Sequence, residues 1–206
     1  MNDPAPLRLL MADDQSLVRA GLAALLDLEP DMEVVAQTDS GAAVVELARE
    51  HAVDVALLDV EMPGVNGIEA AAALQESGLR CRALIVTTFG RPGYLSRALE
   101  AGADGFVVKD VPAEQLADAV RRVARGQRVV DPSLAAESLS LGGSPLTERE
   151  RDVLRAALDG ATVRDIAASL HLSAGTVRNH LSSAIGKTHT ATRAEAAAVA
   201  RDRGWL

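Results

Sequence analysis

Aromatic side chains are nearly missing: one Trp, one Tyr and two Phe make up 2% of the 206 residues. Any core must therefore be filled with Ala, Val, Leu and Ile, which the 48% apolar share allows. Cysteine occurs once, at Cys81, which excludes an internal disulfide and suits a reducing cytoplasm. With no second thiol for zinc, Cys81 reads as a small apolar side chain. Long apolar runs are lacking too. The stretch Val53 to Leu58 is broken by Asp54 and far too short for a bilayer, so no direct membrane binding is expected. Met1-Asn2-Asp3-Pro4 does not show the basic-then-apolar order of a secretory signal, and a cytoplasmic location is expected.

Positive charge is also in short supply, with a net charge of −8. The deficit is uneven. Residues 1–126 hold 20 acids against 11 bases, whereas residues 127–206 hold 9 acids and 10 bases. A nearly neutral C-terminal part can bind nucleic acid only through local placement of its cations, which predicts weak binding by one copy and a need for dimers.

What is present up to residue 126 is a repeat of two periods. Leu7–Ala12, Met32–Ala36, Val53–Leu58, Ala83–Thr87 and Gly105–Val108 read as five buried strands. Between them, Ser16–Leu28, Gly41–Glu50, Gly67–Glu76, Tyr94–Ala101 and Ala113–Arg125 carry helical spacing. Five strand–helix repeats imply a parallel sheet covered on both faces, and flavodoxin-like order 2-1-3-4-5 is the expected α/β arrangement. Residues 127–145, with Pro132, Gly142-Gly143 and Pro145, read as a linker with a short helical turn over 132–139. Residues 146–206 are all helical: Thr147–Leu158, Val163–Leu170, Ala174–Lys187 and Arg193–Arg203.

Ligands of such sheets bind beyond the carboxyl ends of the strands. Here those ends carry Asp13-Asp14 after strand one, Asp59 after strand three, Thr87 at the end of strand four and Lys109 after strand five. Taken singly, each has a plainer role: a helix cap for Asp13 or Asp14, a turn for Asp59, a solvated charge for Lys109. Together they place three carboxylates, a hydroxyl and an ammonium in one crevice. Clustered carboxylates need a cation, and hard oxygen ligands favour Mg²⁺. An ionised Asp59 beside Mg²⁺ is a competent nucleophile for in-line phosphoryl transfer.

In the C-terminal part, Thr147 and Glu150 form a capping box and Asp159-Gly160 stops the helix. A short helix, the turn His171-Leu172-Ser173 and a second helix from Ala174 make a helix-turn-helix. Ser173 is expected to cap the second helix and aim its amides at a phosphate. Thr176, Arg178, Asn179, Ser182 and Lys187 form its exposed face. There Arg can read guanine and Asn adenine, while Ser, Thr and Lys favour the backbone. Val177 is left open between core packing and contact with a thymine methyl. A merely solvated face is the plain alternative.

With Asp13-Asp14, the block Leu57-Leu58-Asp59-Val60-Glu61-Met62-Pro63-Gly64, Thr87 and Phe106-Val107-Val108-Lys109, the chain resembles a response regulator of the NarL/FixJ type. Residues 146–203 resemble its LuxR-type DNA-binding domain. The resemblance implies a receiver phosphorylated at Asp59 by a sensor histidine kinase. It implies Mg²⁺ held by Asp14, Asp59 and the backbone carbonyl of Glu61, with Asp13 acting through water. Thr87 and Lys109 would meet the phosphoryl oxygens, and Phe106 occupies the aromatic switch position without the usual hydroxyl. Asp110 stands where many receivers have Pro, which leaves a cis bond after Lys109 open. Thr188-His189-Thr190 replaces Leu-Gly-Val at the end of the recognition helix. The stretch Thr87-Thr88-Phe89-Gly90-Arg91-Pro92-Gly93-Tyr94-Leu95 and the terminal Arg203-Gly204-Trp205 resemble the DesR-like branch, which answers a membrane-embedded kinase and controls a lipid desaturase.

The expected function is that of a DNA-binding transcription factor and not of an enzyme. Phosphorylation promotes a homodimer through the face from Tyr94 to Arg125, or else releases a masked helix-turn-helix, and the promoter is then bound as double-stranded DNA. Two rivals stand beside it. One is a receiver that works without phosphorylation. The other is a phosphoaspartyl phosphatase, disfavoured because such enzymes carry the nucleophile on their first strand.

Overall fold

The computed structural model describes residues 5–88, 92–131, 134, 144–158 and 160–206. The chain forms two compact units, Met1–Gly90 with Tyr94–Ala136, and Glu137–Leu206 with Arg91–Gly93.

The first unit is a parallel sheet of β1 (Leu7–Ala12), β2 (Met32–Thr38), β3 (Val55–Leu58), β4 (Arg82–Thr87), β5 (Gly105–Val108) and β6 (Val129–Val130). Its order is β2-β1-β3-β4-β5-β6. Alternation explains how both faces are covered. Leu10, Ala12, Ala56, Leu58, Ile85 and Phe106 point into one core, and Leu9, Met11, Val55, Leu57, Leu84, Val86 and Val107 into the other. The first core is closed by α2 (Val44–Glu50), α3 (Gly67–Ser77) and α4 (Pro92–Glu100); the second by α1 (Ser16–Leu26) and α5 (Ala113–Ala124).

Local chemistry sets several boundaries. Asn66 caps α3 by accepting from the amides of Ile68 and Glu69, and Glu69 returns a bond to Asn66 N, a complete capping box. Gly78 ends that helix at φ +68°, the left-handed region open to glycine. The expected helix from Gly41 splits into a 3₁₀ turn, Gly41–Ala43, and then α2, because Ser40 caps the turn rather than α2. Strand three starts at Val55 rather than Val53. Asp54 there accepts from Arg8 N through its side chain, and its carbonyl accepts from Arg82 N.

The sheet has one strand more than expected. β6 lies inside the stretch read as linker and pairs with β5, Gly105 opposite Val129 and Phe106 opposite Val130. The helical turn expected over 132–139, apart from Leu134, lies outside the described residues, as do Phe89, Gly90, Arg91, Gly142-Gly143 and Asp159.

The second unit is helical: α6 (Glu148–Leu158), α7 (Val163–Ser169), α8 (Ala174–Thr188) and α9 (Arg193–Asp202). Its core is alanine-rich, as the scarcity of aromatics demands. Val153, Leu154, Ile166, Val177, Leu181, Ala184, Ala196, Ala197 and Ala200 pack together with Trp205. Small side chains let the helices approach closely without large void-filling groups. Among the described residues, no helix is long and apolar enough to cross a membrane.

Candidate functional site

The parallel register keeps the carboxyl ends of four strands nearly level: Ala12 is opposite Leu58, Leu58 opposite Ile85 and Thr87 opposite Val108. Backbone bonds continue past those ends. Asp13 N donates to Thr38 O at 3.0 Å, Asp59 N to Ala12 O at 2.9 Å and Lys109 N to Thr87 O at 2.8 Å. The residues that follow the strands are thus tied into the same backbone hydrogen-bond pattern.

The crevice gathers the expected residues. Asp13, Asp59 and Thr87 are buried and Asp14 is exposed at its edge. Oxygens of Asp13, Asp14 and Asp59 all lie within 4.8 Å of one another. The ammonium of Lys109 stands 2.7 Å from Asp13 Oδ2 and 3.2 Å from Asp59 Oδ2. Burial pushes the Asp59 carboxyl above the ordinary carboxylate range, and the Asp13 charge adds to this. Lys109 and a backbone hydrogen bond from Glu61 pull the other way. One ammonium against three carboxylates leaves negative charge in excess, held on hard oxygens, and that donor set fits a Mg²⁺ ion. The start of α3 presses on the same place: a Cβ on Gly67 would sit 2.1 Å from Asp59 O. Sequence reading missed this role, although a glycine at the first position of a helix is a signal that space is short.

Phe106 is wholly buried in the core beneath the crevice. The peptide bond after Lys109 is trans. Cys81 is partly buried, and burial pushes its thiol up to about 12, which fits its reading as an inert side chain.

In the helical unit the turn passes through His171, at φ +55°, before Ser173 caps α8 by accepting from Thr176 N at 3.0 Å. Ser173, Arg178, Asn179 and Ser182 are exposed and Thr176 is half-buried. Two residues of the expected DNA-facing set are less open than that face requires. Val177 is 0% exposed and belongs to the helical core, so the open choice between packing and a thymine methyl falls to packing. Lys187 does not extend freely into solvent: its ammonium pairs with Glu150 Oε2 at 2.7 Å. Thr188, in place of an apolar anchor, is accommodated because its hydroxyl donates to Ala184 O at 2.9 Å and meets Thr190 Oγ1 at 2.9 Å. His189 ends the helix at φ +55°, and His180 is half-buried.

Both sets of residues fall inside known families. Residues 9–121 match the response regulator receiver domain, and residues 144–200 match the bacterial regulatory proteins of the luxR family. The transcriptional regulatory protein DesR of Bacillus subtilis (strain 168) is 41% identical over 200 residues, covering 97% of this chain and 99% of that protein. A probable transcriptional regulatory protein NarL of Mycobacterium tuberculosis (strain ATCC 25618 / H37Rv) is 36% identical over 209 residues, 97% of each chain. The crystal structure of the response regulator ChrA, from a heme-sensing two-component system, superposes with a TM-score of 0.60 at 32% identity, covering 98% of this chain and 100% of that one. The chain belongs to the two-component response regulators of the NarL/FixJ type, DNA-binding transcription factors that join a receiver to a LuxR-type helix-turn-helix.

Proposed function

We propose that Asp59 is the phosphoacceptor and that its phosphorylation lets the helix-turn-helix engage promoter DNA as a pair. The observation that carries this reading is the buried ammonium of Lys109, 3.2 Å from Asp59 within a group of three carboxylates. An Asp59 oxygen attacks the phosphorus of a phosphohistidine on a sensor kinase. The new O–P bond forms as the P–N bond breaks, and the electron pair leaves with the histidine. Asp14, Asp59 and the Glu61 carbonyl would hold Mg²⁺, with Asp13 acting through water, and the ion would supply charge compensation for the transfer. The Lys109 ammonium, 2.7 Å from Asp13 Oδ2 and 3.2 Å from Asp59 Oδ2, stands where it can pair with arriving phosphoryl oxygens. Thr87 offers its hydroxyl to the same oxygens.

Phosphorylation adds about −1.5 to −2 of charge at the strand ends. The shift passes through Thr87 and Lys109, with Phe106 as the packed switch residue, to the face between Tyr94 and Arg125, where a second receiver docks. The receiver takes in β6, and the connection to the DNA-binding domain of residues 146–206 begins after it. Ser173 and Thr176 position α8 on the backbone, with Ser182 beside them, while Arg178 and Asn179 read bases. A sensor histidine kinase, membrane-embedded in the DesR-like branch, is the expected partner of this cytoplasmic chain, and no membrane contact of this chain is part of the mechanism.

The test is to incubate the protein with acetyl phosphate and Mg²⁺ and measure its mass. An adduct of roughly 80 Da, one PO₃ unit, is expected on the native chain and not on Asp59→Asn. Its absence from the native chain would overturn the reading. Size-exclusion chromatography of the same samples decides between dimerisation and unmasking, since only dimerisation raises the mass.

A further inference from the structure

Glu150 is 3% exposed, and three donors converge on its carboxylate. Oε2 accepts from the Thr147 amide at 2.7 Å and from the Lys187 ammonium at 2.7 Å, while Oε1 accepts from the Ser183 hydroxyl at 2.6 Å. The capping box of α6 accounts for the first contact alone. The others come from α8. Hydrogen bonds from Lys187, Ser183 and Thr147 outweigh the effect of burial and hold the Glu150 carboxyl down at about 2, so the ion pair persists at neutral pH.

Asn179, Ser183 and Lys187 succeed one another at four-residue spacing, so one stripe of α8 begins at a base-reading position and ends on Glu150. Lys187 lies about 21 Å along the helix from Ser173, at 1.5 Å per residue. A free ammonium there would meet DNA phosphates whatever the sequence. In a domain this close to neutral, one such contact would be a large share of the total electrostatic attraction.

We propose that Glu150 is a positioning residue that withholds Lys187 from the DNA backbone. It holds the last turns of α8 against α6 and leaves affinity to the sequence-reading end of the helix. The inference rests on reading α8 as the helix that enters DNA.

The experiment measures binding of the full chain, with acetyl phosphate and Mg²⁺, to two duplexes. One is recovered from random DNA by selection with the unaltered protein, and the other is an alternating inosine–cytosine polymer. In Glu150→Gln the plot of log K against log salt should steepen by about 0.9, a further loss of roughly 3.5-fold between 50 and 200 mM salt. The preference for the selected duplex should fall. Adding Lys187→Met to that variant should return the slope to its native value. A merely structural role would lower the active fraction and leave the slope alone. An unchanged slope in a folded Glu150→Gln protein overturns the proposal.

A second measurement needs no variant: the rate of Lys187 acetylation by acetic anhydride, read by mass spectrometry with and without the selected duplex. Equal rates support the proposal, and strong protection by DNA overturns it. If the unaltered protein binds neither duplex, the reading of α8 fails and this inference falls with it.

Discussion

Lys109 holds its ammonium 3.2 Å from Asp59 Oδ2, with the two side chains only 9% and 3% exposed. A cation so placed competes with any metal ion for the same carboxylates. Lys109→Met should therefore bind Mg²⁺ several-fold more tightly, measured by calorimetry. Without divalent ions it should lose about 3 to 5 kcal/mol of stability in urea unfolding, the usual cost of stripping one partner from a buried pair.

The raised carboxyl of Asp59 gives a pH dependence of unusual sign. A folded-state pKa above the unfolded value means that the group's contribution is full below the unfolded pKa and is lost as pH rises through the folded one. In metal-free protein, the receiver should become more stable as pH falls from neutral toward the ordinary carboxylate range. Asp59→Asn should flatten that trend and raise the thermal midpoint at neutral pH. Calorimetric scans with chelator present would check both, and a receiver that loses stability over the same range would contradict them.

Glu150 behaves in the opposite way, with its pKa held at about 2 against a model-compound value of 4.5. Its contribution is present above the unfolded value and lost as pH falls toward 2, an amount on the order of 3 kcal/mol. Trp205, the single Trp and part of the helical core, makes its fluorescence a reporter of that unit. Urea midpoints read at Trp205 should drop on acidification, and Glu150→Gln should show a weaker drop.

Val177 and Asn179 are two residues apart on α8 and should fail differently. Val177→Ala removes buried volume from the helical core and should lower stability by about 2 kcal/mol with the DNA preference intact. Asn179→Ala leaves an exposed site and should cost about 1 to 3 kcal/mol at one base position, with stability unchanged. Urea unfolding and binding-site selection together separate the two.

The residues after the strands were legible because a buried strand writes its end into the sequence: an apolar run stops and a polar residue follows, as Leu58 gives way to Asp59. β6 escaped because two valines between Arg128 and Asp131 show neither alternation nor length. Glu150 was read through its neighbour Thr147, the short-range half of its chemistry. Its bonds to Ser183 and Lys187 span 33 and 37 residues and follow no period. Val177 shares a four-residue spacing with Leu181 and Ile185, and spacing alone did not say whether it faced inward; the packing of Ile166 and Leu181 around the same core decides it.

Withdrawal of the Cys81 thiol from the reactive, ionised form has a practical outcome. Thiol-directed dyes or spin labels should ignore the native chain near neutral pH, so one cysteine introduced on a solvent-facing helix would take the probe selectively. Distances between two copies on DNA then become measurable by resonance energy transfer without first removing a native side chain.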